Sequence, residues 1–283
     1  MVKMSVENLV NVHEYPKVIL GGMGIAVSNW RLAGEVAANG GVGVVSGTAS
    51  GIVMARRLQN GDMDDGLRQA LAEFPDQRLV DSVMERYYLS GGRQDGQPYR
   101  STSKFNLPNN KLATDLNILG AFTEVRRAQL YAQKQVGDYS RRQPIGINLL
   151  SKLALPAPSA LFGAMLAGVD SVFVGAGIPV DVPAALDSLA SGKPTSMHFD
   201  VTNAGKKHFE VDFNPANYPR LEGAPITRPA FLAIIASNSL AKYLAKQARP
   251  DGFVVEGPTA GGHNAPPRGT IEVDETRHPF LRN

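Results

Sequence analysis

The side chain best placed to move protons near neutrality is His263, which closes the stretch Gly257-Pro258-Thr259-Ala260-Gly261-Gly262-His263. An unperturbed imidazole titrates close to physiological pH. Gly261 and Gly262 carry no Cβ, so a flat ligand can lie against the backbone there. Gly21-Gly22-Met23-Gly24 allows the same close approach. Asn148 ends an apolar run and offers an amide that both donates and accepts. Ser46 and Ser237 also end apolar runs, where a hydroxyl serves a backbone group as readily as a ligand. Each residue has a plain structural alternative: a loop histidine satisfied by its neighbours, a tight turn, an asparagine that caps the next segment. The chain has no cysteine, which removes thiol nucleophiles, disulfides and zinc ribbons. No His-x-x-x-His or Asp-x-Asp spacing points to a metal, and no Gly-x-Ser-x-Gly elbow points to a serine hydrolase. His13, His198, His208 and His278 show no paired carboxylate or metal spacing and read as surface or core residues.

The elements that must hold these residues alternate between strand and helix. Lys17 to Leu20 is a short apolar strand, Ser28 or Asn29 caps the helix after it, and Asn39-Gly40-Gly41 ends that helix. Val42 to Val45 is the second strand, which completes a βαβ unit. Trp30, the sole tryptophan, is expected to pack between this helix and the sheet. The segment 48–143 is less regular, with helices expected at Pro75 to Leu89 and Leu112 to Val136 around a polar excursion from Gly91 to Pro98. A connection this long usually has its own job, such as a lid. Pro144 to Leu149 is the third strand, followed by a helix from Ala160 to Ala167 capped by Ser159. Ser171 to Val174 is the fourth strand, followed by Gly175-Ala176-Gly177 and a helix from Val182 to Leu189. Met197 to Val201 and His208 to Phe213 alternate at period two around Asn203-Ala204-Gly205, the pattern of a hairpin, inserted here within 194–229. Phe231 to Ile235 is the fifth strand, with a helix from Ser239 to about Ala248. Gly252 to Val255 is the sixth strand, an apolar run without alternation that suggests cover on both faces.

Alternation of this kind implies an α/β protein with a parallel sheet. Its closed form is the (β/α)8 TIM-barrel type, which takes ~250 residues. About six of the eight strands are legible, and no apolar run follows His263. The expectation is therefore one partial barrel domain over 1–283, truncated or completed by a partner, with a helical elaboration at 48–143 and the inserted hairpin at 194–229.

Composition narrows the function classes. The 283 residues are 43% hydrophobic and 19% charged, enough to bury a sizeable core. The net charge of +3 comes from scattered residues with no basic run longer than two, which argues against a nucleic-acid or membrane-surface partner. No signal-peptide core or membrane-spanning run is present, so a soluble cytoplasmic protein is expected. A homo-oligomer is left open.

Four motifs, in order along the chain, carry a resemblance: Gly21-Gly22-Met23-Gly24 with Ser28-Asn29-Trp30-Arg31-Leu32-Ala33, then Gly43-Val44-Val45-Ser46-Gly47-Thr48, then Pro144-Ile145-Gly146-Ile147-Asn148-Leu149, and Gly257 to His263. The sequence resembles the 2-nitropropane dioxygenase/nitronate monooxygenase family of FMN-dependent TIM barrels, and looks closest to its longer bacterial branch. The resemblance implies FMN as cofactor, with the backbone of Gly22, Met23 and Gly24 beside the flavin and Asn148 lining its ring. It places Ala260, Gly261 and Gly262 along the ribityl chain. His263 then sits over the reactive face, as the base that takes the α-proton of a nitroalkane or as the group that orients the nitronate. Glu256 stands at a cofactor-site position where many relatives have glutamine, and Thr259 where many have glutamate. The implied reaction oxidises alkyl nitronates with dioxygen to a carbonyl compound and nitrite. Relatives hold the FMN phosphate in glycine-rich loops after strands seven and eight, which are not read here. Two other readings stand beside this one: an FMN-dependent enoyl-thioester reductase using NAD(P)H, and a non-catalytic truncated fragment.

Overall fold

The computed structural model of the chain describes residues 16, 18–64, 66–102, 110–138, 140, 142–199, 201, 209–257, 260–261, 271–273 and 279–281. Its strands are β1 (Gly43–Ser46), β2 (Ile145–Leu150), β3 (Ser171–Gly175), a hairpin of β4 (Thr195–Phe199) and β5 (Phe209–Phe213), then β6 (Ala230–Ile235) and β7 (Gly252–Val255). β1, β2, β3, β6 and β7 form one sheet, side by side in chain order, and every pair is parallel. The connecting helices are α1 (Trp30–Ala38), α2 (Ser50–Gln59), α3 (Gly66–Ala72), α4 (Gln77–Tyr87), α5 (Lys111–Val136), α6 (Ala157–Leu166), α7 (Val182–Ala190) and α8 (Asn238–Gln247).

Side chains alternate across a strand, and here the alternation sorts two cores. Val45, Ile145, Ile147, Leu149, Val172, Val174, Phe231, Ala233 and Ile235 face the helices and form the larger core with them. Val42, Val44 and Phe173 form a second cluster, joined by Leu20, Leu232, Ile234 and Val254. No described helix contributes to it, so among the described residues the helical cover lies on one face of the sheet. The same parity puts Ser46 and Asn148 on the helix-free face, at the carboxyl ends of β1 and β2.

α5 is the spine of the helical layer. Asn110 Oδ1 caps its start by accepting from the Ala113 N–H, and Gly137 ends it in the left-handed region at φ 72°. It is buried on nearly every side because α1, α2, α3 and α6 all pack on it. Gly163 lets α6 close on α5, since a Cβ there would collide with the Ile118 carbonyl. Replacing Gly163 with alanine is expected to cost about 1–3 kcal/mol through overpacking, read as a lower urea midpoint with an unchanged slope.

Several expectations need correction. The strand at Lys17 to Leu20 shrinks to one parallel bridge, Ile19 to Val42, with Lys17 outside the described residues. The irregular segment holds two helices that were not foreseen, α2 and α3. Ser159 does not cap α6 but lies inside it, its Oγ donating to the Pro156 carbonyl at 3.0 Å. The helix starts earlier because a proline is tolerated in the first turn. β7 is not covered on both faces: it is an edge strand, with Phe253 37% and Val255 74% exposed. The tail holds a small antiparallel pair, β8 (Ile271–Val273) with β9 (Pro279–Leu281). Trp30 packs edge-on to Tyr131 of α5 at 5.5 Å and borders the core shared by helices and sheet. His198 does have carboxylate partners: its Nδ1 lies 3.2 Å from Asp181 and its Nε2 2.9 Å from Glu210, its cross-strand neighbour. Of the other histidines, His13, His208 and His278 lie outside the described residues.

Candidate functional site

The carboxyl ends of β1 and β2 and the loop 21–29 build one shelf. The loop is fixed by Ser28, whose Oγ accepts from the Met23 N–H at 2.9 Å and whose carbonyl accepts from the Ser46 N–H at 2.9 Å. Asn29, not Ser28, caps α1, its Oδ1 accepting from the Arg31 and Leu32 N–H groups. Asn148 does not cap a following segment. Its Nδ2 donates to the Gly21 carbonyl at 2.9 Å and ties the loop to β2.

Gly22 sits in the left-handed region at φ 65° and lies flat on this shelf. A Cβ there would come 2.5 Å from Asn148 Cβ and 2.6 Å from Val44 Cγ1. Gly22→Ala combines a left-handed penalty with a clash, and is expected to cost about 2–5 kcal/mol in urea unfolding. At Gly24 a Cβ would come 2.8 Å from Ser46 Oγ and 3.2 Å from Thr48 Cβ. Ser46 Oγ is buried and has no hydrogen-bond partner among the described residues. A buried hydroxyl left unpaired is costly, so a group that bonded it would be favoured there. Sequence reading left Ser46 open between two roles; its period-two parity with Val44 was the signal that it faces the shelf.

Backbone strain collects on the same rim. Ala26 in the loop, Ala49 after β1 and Ala176 after β3 all have φ between 55° and 58°. An alanine held there costs about 1–2 kcal/mol, and strain of this kind clusters at functional sites. Met23, Ile25 and Val27 leave apolar side chains exposed along the loop.

The structure thus brings Gly22, Met23, Gly24, Asn148 and Ser46 together. Gly261 joins them, because a Cβ on it would meet Met23 Cε at 3.5 Å. Glu256 extends the ladder beyond β7, its N–H donating to the Ile235 carbonyl at 2.8 Å, and partial burial pushes its carboxyl above the usual range. Ala260 turns back through its N–H to the Gly257 carbonyl at 3.0 Å. Gly262 and His263 lie outside the described residues. Ser237, the other strand-ending serine, caps α8 by accepting from the Leu240 N–H at 3.3 Å.

The shelf gathers two glycines whose backbone packs too close to Val44, Ser46 and Asn148 for a Cβ, the Asn148 amide, and the buried Ser46 hydroxyl, groups that a flat, polar-edged ring such as that of FMN could use. None of these residues is cationic or set to receive a phosphate. The described residues form an α/β protein with glycines, Asn148 and Ser46 gathered at the carboxyl ends of its parallel strands. No protein-family model and no curated protein sequence matches the chain. Among the described residues no helix is long and apolar enough to cross a membrane.

Proposed function

We propose that the chain forms most of a (β/α)8 barrel that binds FMN and oxidises alkyl nitronates with dioxygen, as the nitronate monooxygenase resemblance implies. Two features support the barrel reading. The parallel strands run in strict chain order, whereas doubly wound sheets reverse order at a switch point. Helices cover one face only, and the other carries an apolar cluster of the kind that fills a barrel interior.

The observation that carries the ligand reading is the buried, unpartnered Ser46 Oγ beside Gly24, on the rim where Gly22 leaves no room for a side chain. Gly22, Met23 and Gly24 would present backbone to the ring, with Asn148 and Ser46 as its polar contacts. Gly261 would approach from the opposite loop, and Ala260, Gly262 and Glu256 complete the proposed cofactor set. When bound, FMN supplies the electron exchange between nitronate and dioxygen. His263 would hold or remove the proton at the carbon bearing the nitro group, and the small residues before it let the substrate lie close. The apolar side chains of Met23 and Ile25 would keep water from that carbon.

The test is anaerobic addition of substrate to FMN-loaded protein. Bleaching of the flavin by an alkyl nitronate, followed by nitrite release on admitting air, supports the proposal. Bleaching by NAD(P)H alone would transfer the assignment to an enoyl-thioester reductase, and protein that stays colourless after FMN would favour the non-catalytic fragment.

A further inference from the structure

The helical layer holds a second cleft, built around a buried arginine, that the flavin reading does not use. Arg127 of α5 is only 4% exposed. Its Nη2 reaches both carboxylate oxygens of Asp64 at 3.0 Å, and its guanidinium carbon lies 4.2 Å from the centre of the Trp30 ring. Its Nε is buried without a hydrogen-bond partner among the described residues. Glu124, one turn away, meets part of its charge, but leaving a donor unfilled so deep is costly, and it invites an anion. Asp64, the present partner, is half exposed, so a solvent-borne oxyanion can share or replace it.

The surroundings favour the same chemistry. Arg31 and Lys134 line the cleft with Arg127, against Asp64 on its wall and, behind Arg127, the buried Glu124 that Arg127 shares with Arg57. Arg31, like Arg127, lies over the Trp30 ring, 5.0 Å from its centre, and Tyr131 meets that ring edge-on, so an aromatic ligand would take a place that the exposed Arg31 side chain can yield. The cleft holds about 280 Å³, near the lower limit of small-molecule sites at about 300 Å³. That is room for one base with its sugar and anionic group, not for a dinucleotide. Guanidinium groups pair with phosphate oxygens and stack on aromatic rings, so both halves of such a ligand find partners.

We propose that the Trp30–Arg127 cleft binds a nucleoside monophosphate, a base joined through its ribose to one phosphate. The oxyanion meets Arg127, Arg31 and Lys134, and the ring lies against Trp30 and Tyr131. The site is independent of the flavin shelf, so its test uses flavin-free protein.

Trp30 is the only tryptophan, so its fluorescence reports on this cleft alone. AMP, adenosine and inorganic phosphate are titrated separately while Trp30 emission is followed. A saturable change with AMP is expected, with adenosine and phosphate each weaker by about tenfold or more. The Arg31→Ala, Lys134→Ala double variant should weaken AMP by about tenfold or more with an unchanged urea midpoint, because both side chains are exposed. Absence of a saturable AMP response overturns the site, as does unaltered AMP affinity in the double variant. Adenosine binding as tightly as AMP overturns the anionic half of the proposal, and phosphate binding as tightly as AMP overturns the ring half.

Discussion

Replacing His263 with asparagine in FMN-loaded protein is expected to lower nitroalkane turnover about 10²–10⁴-fold, the usual contribution of one positioned acid–base group. Asparagine keeps a polar side chain of similar reach, so flavin content should be unchanged and the loss should fall on kcat. The proposal for His263 rests on the motif Gly257 to His263 and on the placement of Gly261 beside Met23. If the imidazole removes the α-proton, the loss will be greatest with the neutral nitroalkane and smallest with the preformed nitronate, which has already lost it. If it only orients the nitronate, both substrates will suffer alike. Equal turnover of both substrates by variant and parent would remove His263 from the chemistry.

The second large effect is expected in stability. Glu124 lies 2% exposed inside the helical layer, salt-bridged to Arg57 of α2 and one turn from Arg127. Burial pushes its carboxyl above the usual range, against the pull of both guanidiniums. Glu124→Ala strips the counter-charge from two arginines held among α1, α2, α3 and α5, and breaking a buried pair in this way costs about 3–5 kcal/mol. The urea midpoint should fall accordingly. A pH effect accompanies it. Because the folded value lies above the ordinary 4.5, the native state binds more protons than the unfolded chain between the two. Stability then falls as pH rises through that window. The parent should show this decline and the alanine variant should lack it; a parent whose stability rises over the same range would contradict the assignment.

Much of the sheet was legible because glycine and proline punctuate its apolar runs. Gly41 and Gly47 bracket β1, and Gly252 with Gly257-Pro258 brackets β7. What a run packs against is a different matter: Phe253 and Val255 read as buried, yet nothing described covers their outer side. α2 escaped notice because its start carries no capping side chain; Ala49 takes a left-handed conformation there instead. The His198–Glu210 pair was within reach, since a hairpin read from the sequence around Asn203-Ala204-Gly205 sets opposite each other the two residues that the strands do pair. Asp181, which bonds the same ring from the start of α7, was not, and neither was the cluster of Arg57, Glu124 and Arg127. These contacts join residues on separate helices, and no local period encodes them. On the shelf the glycines and Asn148 were named from residue type alone. The unpaired hydroxyl of Ser46 emerged only when Gly24 and Thr48 were seen to enclose it.

The most direct measurement is a titration of FMN with the purified, folded chain, following flavin fluorescence. The account predicts saturable quenching, a yellow protein after gel filtration, and loss of both when Gly22 is replaced by alanine under conditions where circular dichroism still reports a folded variant. Flavin emission that ignores the parent protein at every ratio, with its circular dichroism intact, would contradict it.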